Sequence, residues 1–400
     1  MVAGHPAKGR IIVFGIAFWY PLGGVVWQFL HYLVGLRRLG YDVYYVEDSG
    51  RYVYSPELND FTPDASANVA AVAPVLEAWG FAGRWAYRGA YPGGRCYGMT
   101  DEQLAVLYRE ADAFLNVTGG QELRDEHMSI PRRIYVETDP VVSQIKVAEG
   151  DLTTIDQLAR HDTHFTYGEN IGAPDCLLPV ERFRWQPTRQ PVVLEMWSDS
   201  SQPPPDAPYT TITTWKNTGR DIVFRGETYY WSKDREFMKF IDLPLRCRAA
   251  QPPLSRATFE LATGVDAATA RMLRDNGWRI TDSLPVSREI DRYRRYIQQS
   301  RGEFTVAKDQ NIRLRSGWFS DRSACYLAAG RPVITQETGF SNILPTGRAL
   351  FGFLTMDDIL RAVDTIERDY AAACRAAREL AAEYFAAEKV LASLMSRAGL

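Results

Sequence analysis

Residues 11–48 read IIVFGIAFWYPLGGVVWQFLHYLVGLRRLGYDVYYVED, and this stretch sets the pattern for the rest of the chain. An apolar run at 11–17 predicts a strand, a proline and two glycines at 21–24 predict a turn, and the apolar periodicity of 25–39 predicts a helix. The closing YDVYYVED predicts a second strand. Strand, glycine turn, helix and strand in this order form the opening unit of a doubly wound parallel sheet with a right-handed crossover.

The same stretch has no charged side chain between Arg10 and Arg37, and it is long enough to cross a bilayer. Pro21 and the two glycines of the turn interrupt it, Gln28 and His31 lie inside it, and no small-residue cleavage site follows it. We therefore expect no stable membrane span.

The composition is that of a soluble globular chain. A length of 400 residues predicts two domains, and 46% hydrophobic with 24% charged side chains argues against collagen, coiled coil and extensive disorder. Five isolated cysteines without a C-x-x-C pair indicate neither a zinc ribbon nor a disulfide framework, so we expect a cytoplasmic protein. The net charge of −3 provides no overall field for a polyanion, and we expect no nucleic-acid partner.

Strands and helices continue to alternate along the chain, and a long helix is expected from Met356 onward. Prolines recur between 168 and 206, as expected for a hinge. We therefore predict an α/β fold of two Rossmann-like, doubly wound domains facing each other across a cleft. Residues 1–185 form the first domain and residues 186–375 the second. Ligands of such domains bind outside the carboxyl ends of the strands.

The segment from Glu303 to Pro345 carries the most specific chemistry. It reads EFTVAKDQNIRLRSGWFSDRSACYLAAGRPVITQETGFSNILP, with a strand ending at Lys308 and an alanine-rich helix that begins near Ser320. The free amides and positive dipole end of that helix can hold a diphosphate without metal. Lys308 and Arg322 can add positive charge, and Glu337 can accept hydrogen bonds from sugar hydroxyls.

This segment resembles the donor half-site of GT-B fold glycosyltransferases. Residues 316–340 follow that family's E-A-M-A-x-G-x-P-V-V helix and strand in order and spacing, and Gly330, Pro332 and Val333 match it directly. Residues 21–48 are similar to the family's glycine-pair opening. Residues 376–400, which include AAEYFAAEKVLASLM, are similar to the terminal helices that cross back to the first domain. The resemblance therefore covers both ends of the chain.

The resemblance implies a glycosyltransferase of the hexosyltransferase type, independent of metal, without a cofactor beyond its nucleotide-sugar donor, and with a hydroxyl-bearing acceptor. In the family a helix glutamate binds the ribose of the donor, but Cys325 occupies that position here, and Asp321 can replace it. The cleft loop contains Gly23 and Gly24. The implied donor-binding residues are Lys308, Ser320, Asp321, Arg322, Ser323, Gln336, Thr338 and Gly339.

The candidate catalytic residues are Asp139, His127 and Glu337, with Asp139 or His127 as the base if the enzyme inverts. Glu137-Thr-Asp139 follows an apolar strand and resembles the metal-binding motif of the GT-A fold, but the surrounding chain does not resemble that fold. A carboxylate there can instead contact the acceptor. No third ligand accompanies His161 and His164, so we predict no metal site.

Two other functions remain open from the sequence. A nucleotide-sugar epimerase shares the GT-B fold, but it needs several carboxylates and a histidine converging on the sugar. A catalytically degenerate nucleotide-sugar-binding protein is the second alternative, because a fold does not imply a function. The donor sugar, its nucleotide base, the acceptor and the oligomeric state are not determined by the sequence.

Overall fold

The computed structural model of the chain describes residues 7–198 and 203–400. Residues 1–6, at the start of the predicted first domain, and residues 199–202, within the predicted hinge, lie outside the described residues.

The first half of the chain alternates strands and helices, as its sequence predicts. Its elements are β1 (Arg10–Phe14), α1 (Gly23–Arg38), β2 (Asp42–Ser49), β3 (Val53–Ser55), β4 (Asp60–Thr62), α2 (Ser66–Leu76), β5 (Trp85–Gly89), β6 (Cys96–Gly98), α3 (Asp101–Glu110), β7 (Ala113–Val117), β8 (Arg132–Glu137), α4 (Val142–Ala148), α5 (Leu152–Ala159), β9 (Thr163–Thr166) and β10 (Trp185–Pro187).

Eight of these strands form one sheet in the order β10-β9-β8-β7-β1-β2-β5-β6. All neighbours are parallel except β5 and β6. The chain leaves β1 toward β2 on one side and reaches β7 on the other, so the order reverses at β1. A crevice opens at such a switch point, here between the loops that follow β1 and β7.

The second half builds another parallel sheet. Its elements are β11 (Tyr209–Ile212), β12 (Ile222–Phe224), β13 (Glu227–Tyr229), α6 (Asp234–Met238), α7 (Leu243–Ala249), β14 (Phe259–Ala262), α8 (Ala267–Asp275), β15 (Arg279–Thr281), α9 (Ser283–Arg288), α10 (Ile290–Gln298), β16 (Gly302–Thr305), α11 (Asp309–Arg313), α12 (Asp321–Ala328), β17 (Val333–Gln336), β18 (Leu350–Phe353), α13 (Met356–Arg368), α14 (Tyr370–Tyr384) and α15 (Ala387–Arg397).

The second sheet has the order β15-β14-β11-β16-β17-β18, and all its neighbours are parallel. Its order reverses at β11, between β14 and β16. The β12–β13 hairpin stands apart from this sheet. The loops after β11 and β16 therefore belong to the second crevice, and both crevices contribute to one cleft.

The charge-free stretch near the start of the chain is interior protein. All of β1 from Ile11 to Phe14 is buried, and most of α1 is buried as well. Trp27 of α1 donates its indole N–H to the carbonyl of Ile290, 2.8 Å away. Because α1 packs on both halves of the chain, it needs apolar residues around most of its circumference. Among the described residues, no helix combines the length and apolar character that crossing a bilayer requires.

The prediction of one long helix from Met356 is wrong, because the segment forms α13, α14 and α15. The first break falls at Asp369, which leaves helical geometry and accepts a hydrogen bond from the amide of Ala372. The second falls at Ala386, which pairs with Val192. α15 then packs on α1, where a Cβ atom on Gly35 would lie only 2.5 Å from Leu391 Cδ1.

Candidate functional site

Two cavities adjoin each other between the sheets. The larger, about 610 Å³, is bounded by the loops after β1, β7 and β8 and by Trp231 and Trp318 of the second half. The smaller, about 510 Å³, is bounded by the start of α1 and by the loops after β11, β14 and β15. Val25, Gln28 and Asp321 belong to both, so the two cavities form one continuous cleft with the first residue of α12 between them.

The beginning of α12 supplies backbone donors to the cleft. Ser320 precedes the helix, and its hydroxyl makes no capping bond to the first turn. The first N–H groups of a helix lack acceptors inside it and carry the positive end of its dipole. Asp321 lies at the same place, and burial raises the pKa of its carboxyl. The beginning of α12 therefore favours an anion, while Asp321 suits a hydroxyl donor.

Lys233, which precedes α6, is a buried cation that lacks a counter-ion. Only 9% of it is exposed, and among residues 7–198 and 203–400 its Nζ has no hydrogen-bond or ion-pair partner. Its Nζ lies 5.6 Å from the centroid of the Trp318 ring, which borders the larger cavity. Burial, reinforced by Arg322 and Lys308 and opposed by Glu303 and Asp139, lowers the pKa of Lys233 to about 7. A buried ammonium without an ion-pair partner is costly, so the side chain loses its proton readily and a bound anion would favour its charged form.

Lys308 lies close to Lys233 and bridges the two halves of the chain. Its Nζ is 2.5 Å from Asp139 Oδ1 and 3.3 Å from the centroid of the Trp231 ring. Burial lowers the pKa of Lys308, and the contact with Asp139 opposes that effect. Trp318 spans the same gap by donating its indole N–H to the carbonyl of Thr138, 2.9 Å away. The contact between Asp139, which borders the larger cavity, and Lys308, which borders neither cavity, therefore joins the two halves of the chain beside the cleft.

Arg322 makes its bonds inside the second sheet. Its guanidinium contacts Glu303 Oε1 at 2.6 Å, the carbonyl of Ile212 at 2.8 Å and the hydroxyl of Thr305 at 3.1 Å. Glu303 is completely buried. Arg322 also borders the smaller cavity, but these three partners give it a structural role at the base of α12.

The other residues predicted to bind the nucleotide-sugar donor do not border the cavities. Ser323 is completely buried, and its hydroxyl has no partner among the described residues. Gln336 donates to Glu236, and Thr338 donates to the carbonyl of Trp318. Glu337 accepts the amide of Gly339 at 2.6 Å. Within this loop Thr338 bonds to Trp318, and none of residues 336–339 is among those that border the two cavities.

Gly23 and Gly24 let the two halves of the chain approach each other. A Cβ atom on Gly23 would lie 2.6 Å from Tyr293 Cβ and 3.3 Å from the carbonyl oxygen of Ser287. One on Gly24 would lie 3.1 Å from the Tyr293 hydroxyl. Gly24 borders the smaller cavity, while Gly23 is buried against α10.

Replacing Gly23 by alanine is expected to lower the free energy of unfolding by about 1–3 kcal/mol, because the added methyl group overpacks the contact with Tyr293. Urea-induced unfolding followed by tryptophan fluorescence measures this loss. Gly50→Ala is the matched control, since the nearest atom to its added Cβ, the Ala90 carbonyl oxygen, is 3.8 Å away. Equal losses in both variants would contradict the proposed contact.

The two candidate bases in the first domain, Asp139 and His127, lie in different surroundings. Asp139 borders the larger cavity. His127 is completely buried, lies 3.2 Å from Asp48 Oδ2, and is absent from the residues that border either cavity. The structure therefore places Asp139 in the cleft and His127 inside the first sheet's own packing.

Asp48, Glu126 and His127 bring three potential metal ligands within 4.8 Å of one another, and they form the one such group found among the described residues. Arg88 and Arg124 both pair with Asp48. Two guanidinium groups already neutralise these carboxylates, so the donor set does not favour an added cation.

The sequence-predicted site residues include neither Glu137 nor Lys233, which lies beside Trp318 but is not among the residues that border either cavity. Lys233 immediately precedes a short helix, where a lysine is normally solvated, and no spacing pattern marks it. The sequence marks Glu137 only as part of Glu137-Thr-Asp139, a motif interpreted as a metal-binding sequence or as a contact with the acceptor. Glu137 is 97% buried at the end of β8 and borders the larger cavity. Its position after an apolar strand was the available signal.

No protein-family model and no curated protein sequence matches the chain. Solved structures match it over nearly its whole length at low identity. One is an alpha-glucosyltransferase in complex with UDP and a 13-mer DNA containing an HMU base, with a TM-score of 0.59, 10% identity and coverage of 98% of this chain and 100% of that one. A sucrose-phosphate synthase from Thermosynechococcus elongatus has a TM-score of 0.53 and 12% identity, and the match covers 97% of this chain and 98% of the synthase.

HepE from Anabaena, in complex with UDP and glucose, has a TM-score of 0.52 and 11% identity, and the match covers 98% of this chain and 100% of HepE. All three are glycosyltransferases of the GT-B fold. The present chain therefore has the GT-B fold, as its resemblance in sequence predicted.

The expectation that the protein has no nucleic-acid partner is wrong, because the solved structures similar to it do not support excluding one. The similar alpha-glucosyltransferases include complexes with UDP and DNA, so this fold accommodates nucleic acid beside a donor nucleotide. The net charge failed as an argument because it sums the whole chain, whereas binding depends on local charge.

Proposed function

We propose that the protein transfers a glycosyl group, of the hexosyl type, from a nucleoside diphosphate sugar to a hydroxyl-bearing acceptor. The nucleoside occupies the smaller cavity, where Thr213, Thr214 and Ser283 offer hydroxyls at the carboxyl ends of the second sheet. The diphosphate lies at the start of α12. The sugar and the acceptor share the larger cavity. The observation that carries this proposal is Lys233, a buried cation with no anionic partner among the described residues.

The arrangement fits the charge that glycosyl transfer creates. As the bond between the sugar and the diphosphate breaks, negative charge accumulates on the leaving diphosphate. Lys233, Lys308 and the first amides of α12 are fixed groups that stabilise this charge without reorganising. They supply the positive charge that a divalent metal provides elsewhere, so we propose a reaction independent of metal.

An epimerase is less favoured by the cleft. Its chemistry needs a histidine among the groups that converge on the sugar, and none of the described residues bordering either cavity is a histidine. Asp139, Glu137 and Asp321 provide carboxylates there, which also suit the binding of hydroxyls.

The proposal is tested by thermal unfolding with UDP, GDP, dTDP and ADP, each with magnesium and with a chelator. At a hundred times its dissociation constant, a bound diphosphate adds about 2.7 kcal/mol to the free energy of unfolding. We expect one diphosphate to stabilise the protein equally with and without magnesium. Release of that diphosphate from its sugar conjugates is then measured with glycosides, polyols and oligonucleotides as acceptors.

Two results would contradict the proposal. If none of the four diphosphates changed the unfolding temperature, the proposed donor site would be wrong, and a protein that binds no nucleotide sugar would be favoured. Stabilisation only in the presence of magnesium would contradict the metal-independent arrangement while leaving the nucleotide site in place.

A further inference from the structure

Three buried polar atoms without partners converge on the larger cavity from the first half of the chain. They are Trp19 Nε1, Thr118 Oγ1 and Glu137 Oε1, and no described residue forms a hydrogen bond with any of them. Trp19, Thr118 and Glu137 all border this cavity. Buried polar atoms are nearly always hydrogen-bonded in native proteins, so three exceptions at one cavity indicate a ligand that completes them.

The backbone that carries Trp19 and Thr118 is constrained. Glu47 is buried and accepts the amides of Phe18 at 2.5 Å and Trp19 at 2.8 Å, which fixes the loop after β1. Thr118 follows β7 with a φ of +71°, an uncommon conformation for a β-branched residue. Strained backbone of this kind persists where the surroundings enforce it, and it concentrates at functional sites.

Glu137 is oriented through its second carboxylate oxygen. Its Oε2 accepts the hydroxyl of Thr166 at 2.6 Å and the side-chain amide of Gln144 at 2.7 Å. The side-chain carbonyl oxygen of Gln144 accepts a hydrogen bond from the backbone N–H of Val141, whose φ is +100°. These bonds leave Oε1 as the free acceptor of a buried carboxylate, at the wall of the cavity.

We propose that this part of the cleft is an acceptor subsite for a saccharide ring, in which Glu137 accepts the proton of the attacking hydroxyl. This inference rests on the proposed glycosyl transfer and names its acceptor class. The subsite combines an indole N–H, a hydroxyl and a carboxylate oxygen with the rings of Trp19 and Tyr20, whose centroids are 5.0 Å apart. Hydrogen-bond donors and acceptors beside aromatic side chains match a saccharide ring, which carries several hydroxyls.

The step balances as a displacement. The acceptor hydroxyl oxygen uses its electron pair to form a bond to C1 of the donor sugar, and its proton passes to Glu137 Oε1. The bond between C1 and the diphosphate oxygen breaks, and its electron pair leaves with the diphosphate. Lys233 and the start of α12 hold that leaving group on the other side of the cleft.

The electrostatics of Glu137 support this role. Burial, with a smaller contribution from the nearby Asp139, raises the pKa of its carboxyl to about 7, against the hydrogen bonds from Thr166, Gln144 and Ser143. A general base works best when its pKa lies near the working pH. Tyr135, on the same strand, has its own pKa raised by burial and by Glu137, so it stays protonated.

The test separates binding from proton transfer. Saturation-transfer NMR in the presence of UDP measures binding of the methyl glycosides of glucose, galactose, mannose and N-acetylglucosamine. Release of diphosphate from UDP-, GDP-, dTDP- and ADP-sugars measures turnover with the same glycosides. Glu137→Gln keeps a hydrogen-bonding group but not a base, so we expect a 10²- to 10⁴-fold loss of kcat with little change in glycoside binding.

Thr118→Val removes one hydroxyl contact and is expected to weaken glycoside binding up to about tenfold. Glu149 is an exposed residue at the end of α4, so Glu149→Gln is the control and should leave both measurements unchanged. A wild-type protein that binds UDP but no methyl glycoside overturns the saccharide subsite and leaves the proposed function standing. Unchanged kcat in Glu137→Gln overturns the proton transfer. Failure to bind any diphosphate overturns the proposed function first.

Discussion

Replacing Lys233 by methionine is expected to weaken diphosphate binding by about one to two orders of magnitude. A hydrogen bond to a charged group is worth about 1.5–3 kcal/mol, and Lys233 is the buried cation whose charge has no counter-ion among the described residues. Methionine is unbranched and apolar, and it fills the same space beside Trp318 without a charge. Titration calorimetry with the diphosphate selected by the binding panel measures the change.

The same substitution should leave the protein at least as stable as the wild type. In the free protein the charge of Lys233 is buried near Arg322 and Lys308, which repel it more strongly than Glu303 and Asp139 attract it. Removing it relieves that repulsion, so thermal unfolding without ligand should occur at an equal or higher temperature. Lys389→Met is the control, because Lys389 is exposed and pairs with Glu383 on the surface. An affinity equal to that of the control would contradict the donor site.

Replacing Arg322 by methionine is expected to lower the free energy of unfolding by about 3–5 kcal/mol. Glu303 is completely buried, and removing its guanidinium partner leaves its carboxylate without a counter-charge. The bonds from Arg322 to Ile212 and Thr305 are lost as well. Urea-induced unfolding followed by circular dichroism measures the loss.

A second variant separates this structural role from donor binding. Replacing Glu303 by glutamine together with Arg322→Met removes the buried charge, and we expect it to recover part of the lost stability. Under the alternative, in which Arg322 chiefly contacts the donor, Arg322→Met would weaken diphosphate binding while stability stayed near that of the wild type. That pattern would show that the contacts with Glu303 are secondary.

The parts of the fold that could be predicted are those with strong local patterns. The apolar strand, glycine turn and buried helix of residues 11–38 appear in the structure as β1, the turn and α1. The alanine-rich helix ending at Gly330 appears as α12, and Gly330 has a φ of +71°. Helix ends that depend on tertiary pairing were missed, as at Ala386, where pairing with Val192 interrupts the helices.

The site was harder to predict because the direction of a side chain depends on what packs around it. Arg322 is at the start of α12 as expected, yet its guanidinium turns toward Glu303 in the interior. Gln336 is at the end of β17, yet it bonds to Glu236 on α6. Lys233 is 75 positions before Lys308 in the sequence, and only the folded sheet places their charges near each other. No local pattern encodes such a meeting.

Proton uptake on diphosphate binding tests the central claim most directly. In the free protein the pKa of Lys233 is about 7, and a bound diphosphate favours its charged form and raises that pKa. At about pH 8, roughly one unit above this pKa, most Lys233 side chains are neutral and must take up a proton on binding. Above pH 7 the affinity should therefore fall as pH rises, and below pH 7 this contribution should be constant.

Titration calorimetry in buffers of different ionisation enthalpy counts the protons. The account predicts that close to one proton is taken up per diphosphate bound at about pH 8 by the wild type, and that this uptake disappears in Lys233→Met. Binding without proton uptake, or the same uptake in both proteins, would show that Lys233 does not hold the diphosphate.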